Sequence, residues 1–157
     1  MHQWYNTRME LVNKEAYREY TILETFEAGV KLTGPEVKAI RHNRLVFQGS
    51  FVKFVNKELY WINAEIPQYQ YSHDEAYDSK RTRKLLLKKH EMIRLMSKIK
   101  ERPGLTIIPL KCYTKSVFLK LEIALSKGKK AYEIKSVEKN REIKRHDQQT
   151  AKEFLKK

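Results

Sequence analysis

The sequence predicts a mainly β chain in which five or six short antiparallel strands and inserted helices close around one core. Three observations predict it. Short segments rich in aromatic and β-branched residues, several of them alternating, recur from residue 17 to residue 125 between turn-forming residues. Stretches with a helical period are few and brief. Residues 135–157 are mostly charged, and their sparse apolar positions, Val137, Ile143, Phe154 and Leu155, cannot build a core of their own. Strands of this number and length form small β-barrels, OB-like folds among them, although a β-sandwich gives the same pattern.

In chain order, residues 1–12 lack a clear period, and Trp4 and Tyr5 either lie on the body or form a loose end. The body begins at Asn13-Lys14-Glu15-Ala16. A strand-like run follows from Tyr17 to Leu32, with Gly29 marking a bulge or a close backbone approach. Thr33-Gly34-Pro35-Glu36 reads as a helix start, with Pro35 at the first helical position. That helix turns Val37 and Ile40 inward, Lys38, Arg41 and Arg44 outward, and ends near His42-Asn43. Residues 50–56 and 58–64 are strands of a hairpin about Asn56-Lys57. Residues 65–80 read as a polar, aromatic loop. Arg81 to Leu87 fits a short helical piece, because a helix continuous through Lys88 would put lysines on its own apolar stripe. A second helix covers 89–100 and stops at Arg102-Pro103-Gly104. Residues 105–111 and 117–125 are strands, and a short one follows near Ala131–Ile134.

At 157 residues the chain fits one domain. Its net charge of +14 is concentrated: residues 79–102 hold ten Lys and Arg against two Glu, and residues 127–157 hold eleven against five acids. The remainder balances at twelve of each sign. Two basic segments on a neutral body suit a polyphosphate partner, because neutralised phosphates release counterions. An anionic membrane surface would accept them too. No run approaches the roughly 18 apolar residues of a membrane span, and no signal-like apolar region follows the N-terminus. A single Cys112 excludes an intramolecular disulfide and fits a reducing compartment, so a soluble cytoplasmic protein is expected.

Few residues offer catalytic chemistry. His73-Asp74-Glu75 has no second ligand cluster at zinc-like spacing and reads as a solvated loop. Cys112 has no neighbouring His and reads as a buried thiol. There is no phosphate-cradling Gly-rich loop and no nucleophile elbow, so no enzyme is expected. Arg81, Arg83, Lys84 and Lys89 are candidates for RNA phosphates rather than a solvated face, since such a local charge excess repels itself. Tyr69, Tyr71 and Tyr77 either stack on bases or cover the end of the body.

Five motifs carry a resemblance. Asn13-Lys14-x-Ala16, Phe26-Glu27-Ala28-Gly29-Val30-x-Leu32-x-Gly34-x-Glu36-Val37-Lys38, Arg81-Thr82-Arg83-Lys84-Leu85-Leu86-Leu87, Pro109-Leu110-Lys111 and Gly128-Lys129-Lys130 stand in one order and spacing. Over residues 13 to about 135 the chain is thereby similar to the small protein B (SmpB) family, the RNA-binding partner of transfer-messenger RNA in bacterial ribosome rescue. The resemblance implies an OB-like antiparallel β-barrel of about six strands and three helices, with a basic C-terminal tail disordered when free. Residues 1–12 would be an extension, 13–134 the RNA-binding barrel, and 135–157 the tail, which turns helical on the ribosome.

Carried over by position, the family's RNA contacts are Asn13, Glu27 and Leu86. Around them the expected RNA-binding set extends to Lys14, Gly29, Lys38, Arg81, Thr82, Arg83, Lys84, Lys89, Lys111, Lys129 and Lys130. The tail would touch the ribosome through Tyr132, Lys135, Lys139, Arg141, Lys144 and Arg145. The implied partners are the tRNA-like domain of transfer-messenger RNA and the ribosome, with its 16S rRNA decoding centre, empty mRNA channel and 23S rRNA. Alanyl-tRNA synthetase and elongation factor Tu are indirect partners. A monomer without cofactor or metal is expected, and a generic OB-like ribosomal or single-strand RNA-binding protein is the alternative. Three positions depart from the family pattern. Tyr77-Asp78-Ser79 stands for His-Asp-Pro, Glu133-Ile134-Lys135 for Asp-Lys-Arg, and the turn at Ser116-Val117 lacks its usual Gly.

Overall fold

The computed structural model describes residues 8–156; the expectation for Trp4 and Tyr5 lies outside them. In chain order the elements are β1 (Glu10–Val12), α1 (Lys14–Glu19), β2 (Tyr20–Val30), α2 (Gly34–Arg41), β3 (Phe51–Val55), β4 (Glu58–Ile62), β5 (Arg83–Leu86), α3 (Lys89–Glu101), β6 (Leu105–Lys115), β7 (Phe118–Gly128) and α4 (Ala131–Leu155). All strand pairs are antiparallel, in the order β1-β6-β3-β4-β5-β2-β7. β6 also pairs with β7, so the ladder from β6 through β3, β4, β5 and β2 to β7 returns to β6. The described residues thus give seven strands and four helices, where about six and three were expected.

Alternation explains the register. Along β7, Leu119, Leu121 and Ile123 turn inward while Lys120 and Glu122 face out. The main core gathers Phe26, Leu59, Trp61, Leu85, Leu121 and Ile123 from the strands, Ala39 and Ile40 from α2 and Leu95 from α3. A smaller cluster of Ala16, Ile108, Leu110 and Ala124 sits beneath α1. The β3–β4 hairpin places Asn56 and Lys57 at φ 50° and 65°, both left-handed, which matches a two-residue turn to the twist of its strands. Ser116 takes φ 58° at the β6–β7 turn, a conformation a glycine reaches with less strain.

Several expectations are corrected. Residues 10–12 join the sheet along β6, and residues 17–19, expected to begin the strand, belong instead to α1, whose cap is Asn13. The β2 bulge lies between Ile22 and Glu24, while Gly29 keeps regular register with Leu86 and Lys120. Arg83–Leu86 is a strand between β4 and β2, not a helical piece. Two open strand edges capture it, and Arg83 and Leu85 are buried while Lys84 and Leu86 face out, the period of two that a strand requires. Residues 131–134 are the first turn of α4, not a strand. The tail, expected to be disordered when free and helical on the ribosome, is described as one continuous helix, α4, without a single buried residue.

Candidate nucleic-acid interface

The Arg81–Leu87 run divides between the two sides of the sheet. Arg83 is 0% exposed and Glu36, on α2, is 1% exposed. Arg83 donates through Nε to Glu36 Oε1 at 2.9 Å, through Nη1 to the Ala64 carbonyl at 2.8 Å and through Nη2 to the Ser79 carbonyl at 3.0 Å. Arg81 adds Nε to Glu36 Oε1 at 3.1 Å and Nη2 to Oε2 at 2.8 Å, and the Thr33 amide donates to Oε2 at 3.0 Å. Burial by itself would raise the Glu36 pKa; the Arg81 hydrogen bonds, the Thr33 amide and Arg83 outweigh it and leave the pKa lowered. Glu36 is therefore an ionised hub that ties α2 to the lead-in of β5. Arg83 is a core residue, and its assignment to RNA is withdrawn because no part of its guanidinium reaches the surface.

Asn13 is likewise turned inward. Its Nδ2 donates to the Pro109 carbonyl at 2.9 Å and its Oδ1 accepts from the Ala16 amide at 3.4 Å, so its amide caps α1 instead of facing a ligand.

The outward residues of β5, β2, β7 and β6 form one surface. Leu86 lies opposite Gly29, Gly29 opposite Lys120, and Lys120 opposite Tyr113, a row across four strands. Directly paired residues share a face. Leu86 is 47% exposed, and Gly29 leaves bare backbone between it and Lys120. One pleat along, Glu27 lies opposite Glu122, a like-charge pair that its neighbours relieve. Tyr113 Oη donates to Glu27, Lys115 Nζ lies 3.1 Å from Glu27 Oε1, and Lys111 Nζ lies 3.4 Å from both Glu122 Oε2 and Glu10 Oε1. The Tyr113 hydrogen bond, with Lys115 beside it, holds the Glu27 carboxyl below its usual range. Glu27 is thus ionised and only accepts hydrogen bonds. Beyond the row, Lys84 donates to Glu58 at 2.5 Å and sits opposite Tyr60.

This surface brings together Glu27, Gly29, Leu86, Lys84 and Lys111 of the expected set, and adds Lys120, Tyr113 and Lys115, which the sequence reading missed. Their alternation along β6 and β7 was the available signal: every second residue faces out. The other expected residues are spread over other elements. Lys14 is exposed on α1, Lys38 on α2, Thr82 before β5 and Lys89 at the start of α3. Lys129 points Nζ at the Tyr17 carbonyl, 3.4 Å away, and Lys130 precedes α4. Tyr132, Lys135, Lys139, Arg141, Lys144 and Arg145 are all exposed on α4. Cys112 is buried, and burial pushes its thiol up to about 12. His73, Asp74 and Glu75 are exposed in the loop before β5.

Chemically, the surface offers an apolar contact for a ribose or base, cations for phosphate, and a fixed carboxylate for a base-edge donor or a 2′-hydroxyl. A family model described as SmpB protein matches residues 10–153. The chain belongs to the SmpB family. An SsrA-binding protein of Thermosipho africanus is 49% identical over 134 residues, covering 85% of this chain and 89% of the relative. One of Chlorobium luteolum is 46% identical over 143 residues, covering 90% of each. A solved chain from work on tmRNA-SmpB and the bacterial ribosome superposes with a TM-score of 0.64 at 44% identity, over 78% of this chain and 85% of that one. In the tail, Glu133 accepts from the Lys130 amide at 2.8 Å to cap the first turn of α4. The Tyr77 hydroxyl donates to the Ile66 carbonyl at 2.6 Å, fastening the loop before Arg81.

Proposed function

We propose that this chain is a trans-translation factor that binds the tRNA-like domain of transfer-messenger RNA and delivers it to stalled ribosomes. The observation that carries the reading is the Leu86–Gly29–Lys120–Tyr113 row with the fixed Glu27 carboxylate beside it, in a chain of this family. A uniform basic patch would grip any duplex; an exposed leucine, bare backbone and an oriented acceptor between cations select a folded RNA of one shape. The closed strand order supports an OB-like barrel, residues 13–134, as the body that presents this face.

In this reading the tail, residues 135–157, works separately. Every residue from Glu138 to Lys156 is exposed, and among the described residues the Arg18–Glu138 ion pair, at 3.8 Å, ties the start of that part of α4 to the body. At about 100° per residue, Lys135 and Lys139 fall on one side of the helix, Lys144 opposite them, and Arg141 and Arg145 on the flank between. Cations on opposite sides suit a helix enclosed by RNA, as in the empty mRNA channel beside the 16S rRNA decoding centre. Contact with 23S rRNA, and indirect work with alanyl-tRNA synthetase and elongation factor Tu, follow from the same role. The chain binds RNA as a cytoplasmic monomer and catalyses no reaction.

Sequencing the RNA that co-purifies with the chain tests this reading: enrichment of transfer-messenger RNA supports it, and a mixture of rRNA fragments favours a generic RNA-binding protein. A chain ending at Lys130 should keep its affinity for the tRNA-like domain and lose peptide tagging on stalled ribosomes. Tagging that survives the truncation removes the tail from the mechanism.

A further inference from the structure

A second cluster of aromatic residues lies where the end of α2 meets the loop before β5. His42 and Tyr69 stack with centroids 5.7 Å apart and planes 23° apart, and Tyr71 meets Tyr69 at 5.4 Å and 68°. Lys38 Nζ lies 5.5 Å from the Tyr69 centroid, and Arg44 Nη1 reaches the Gln68 carbonyl at 3.4 Å, so two cations flank the rings. Tyr71 is 72% exposed. A ring that open contributes little to the core, whereas Tyr77 of the same loop is half-buried and bonded inward.

We propose that the Tyr71–Tyr69–His42 cluster is a stacking site for an unpaired RNA nucleotide, with Lys38 and Arg44 meeting the phosphates beside it. Every base has a π-face, so an exposed ring edged by cations is a sequence-tolerant platform for single-stranded RNA. The alternative occupant of an aromatic cluster is a cationic ligand, and the charges argue against it. Lys38 and Arg44 repel a cation, while Asp74 turns its Oδ1 to the Ala76 amide at 3.0 Å within its own loop. The strand therefore runs along the α2 side, away from Asp74 and Glu75. This site takes an unpaired nucleotide and goes beyond the recognition of a folded RNA by the sheet face.

Fluorescence anisotropy with a labelled short oligoadenylate and the full-length protein tests it. Tyr71→Ala should weaken binding about tenfold, the scale of one lost base stack. Tyr71→Trp should restore or tighten binding because it keeps a π-face without the hydroxyl. Both variants should melt with the wild type, since the ring is exposed. A photoreactive thiouridine strand should crosslink within residues 65–80. Wild-type affinity in Tyr71→Ala overturns the proposal, as does an equal loss in Tyr71→Trp, or a crosslink confined to the sheet face.

Discussion

Replacing Arg83 with alanine separates a core residue from an RNA ligand, because the two roles predict losses in different measurements. The side chain makes three hydrogen bonds, to Glu36, Ala64 and Ser79, with no surface exposed. Its removal strands the buried Ala64 carbonyl, leaves the Ser79 carbonyl with the Ile66 amide alone, and takes away one of the two guanidiniums facing Glu36. Breaking a buried ion pair in this way costs about 3–5 kcal/mol. Arg81 and the Thr33 amide remain on the carboxylate, which places the expected loss near 3 kcal/mol, a large share of the roughly 5–15 kcal/mol that holds a domain folded. With a urea slope of about 1–3 kcal/mol per molar, the midpoint should fall by roughly 1–3 M. Arg81→Ala is the control. That side chain is 40% exposed, and its loss should cost only about 1 kcal/mol. Urea unfolding followed by circular dichroism measures both, and titration with the tRNA-like RNA measures affinity on the still-folded fraction. An Arg83→Ala protein as stable as the wild type but weak for RNA refutes the buried-hub account.

The same hub sets an acid limb. Because folding lowers the Glu36 pKa below its ordinary 4.5, its contribution is whole above about pH 4.5 and is lost as the pH falls through the folded value. Glu36→Gln should therefore be less stable at neutral pH and show a flatter stability profile in acid. Asn13→Ala should cost about 1 kcal/mol of stability through the lost cap of α1, with RNA affinity unchanged in a binding titration. Lys84→Ala should weaken RNA binding and lower the salt slope by about one, whereas Glu58→Gln should tighten binding at low salt by releasing Lys84. Cys112, raised to about 12 by burial, should ignore a thiol reagent at pH 8 until urea unfolds the chain.

Much of the scaffold was legible. The Thr33–Glu36 start of α2, the β3–β4 hairpin about Asn56-Lys57 and the apolar alternation of β7 are local signals, and each matches the structure within a few residues. The basic segment was the harder reading. Counting charge made Arg81, Arg83 and Lys84 look alike, yet Glu36 lies 45 residues from Arg81 and 47 from Arg83, and Glu58 lies 26 from Lys84. Sequence separation hides those pairings. The helical expectation for Arg81–Leu87 rests on sorting a helical wheel into two pieces about Lys88, whereas the fold places Arg83–Leu86 between two neighbouring strands that supply its backbone partners.

By itself the sequence determined the class of the protein: a mainly β body, two basic segments, and motifs placing it in a ribosome-rescue family. Those properties follow from local period, composition and ordered motifs, which the chain carries whatever its fold. Only the tertiary structure decided which residues of each motif face outward. In a strand, that choice turns on a single step of register. The step put Arg83 and Leu85 inside and Lys84 and Leu86 outside, and carried Lys120 and Tyr113 into line with Leu86 from strands that are remote in sequence.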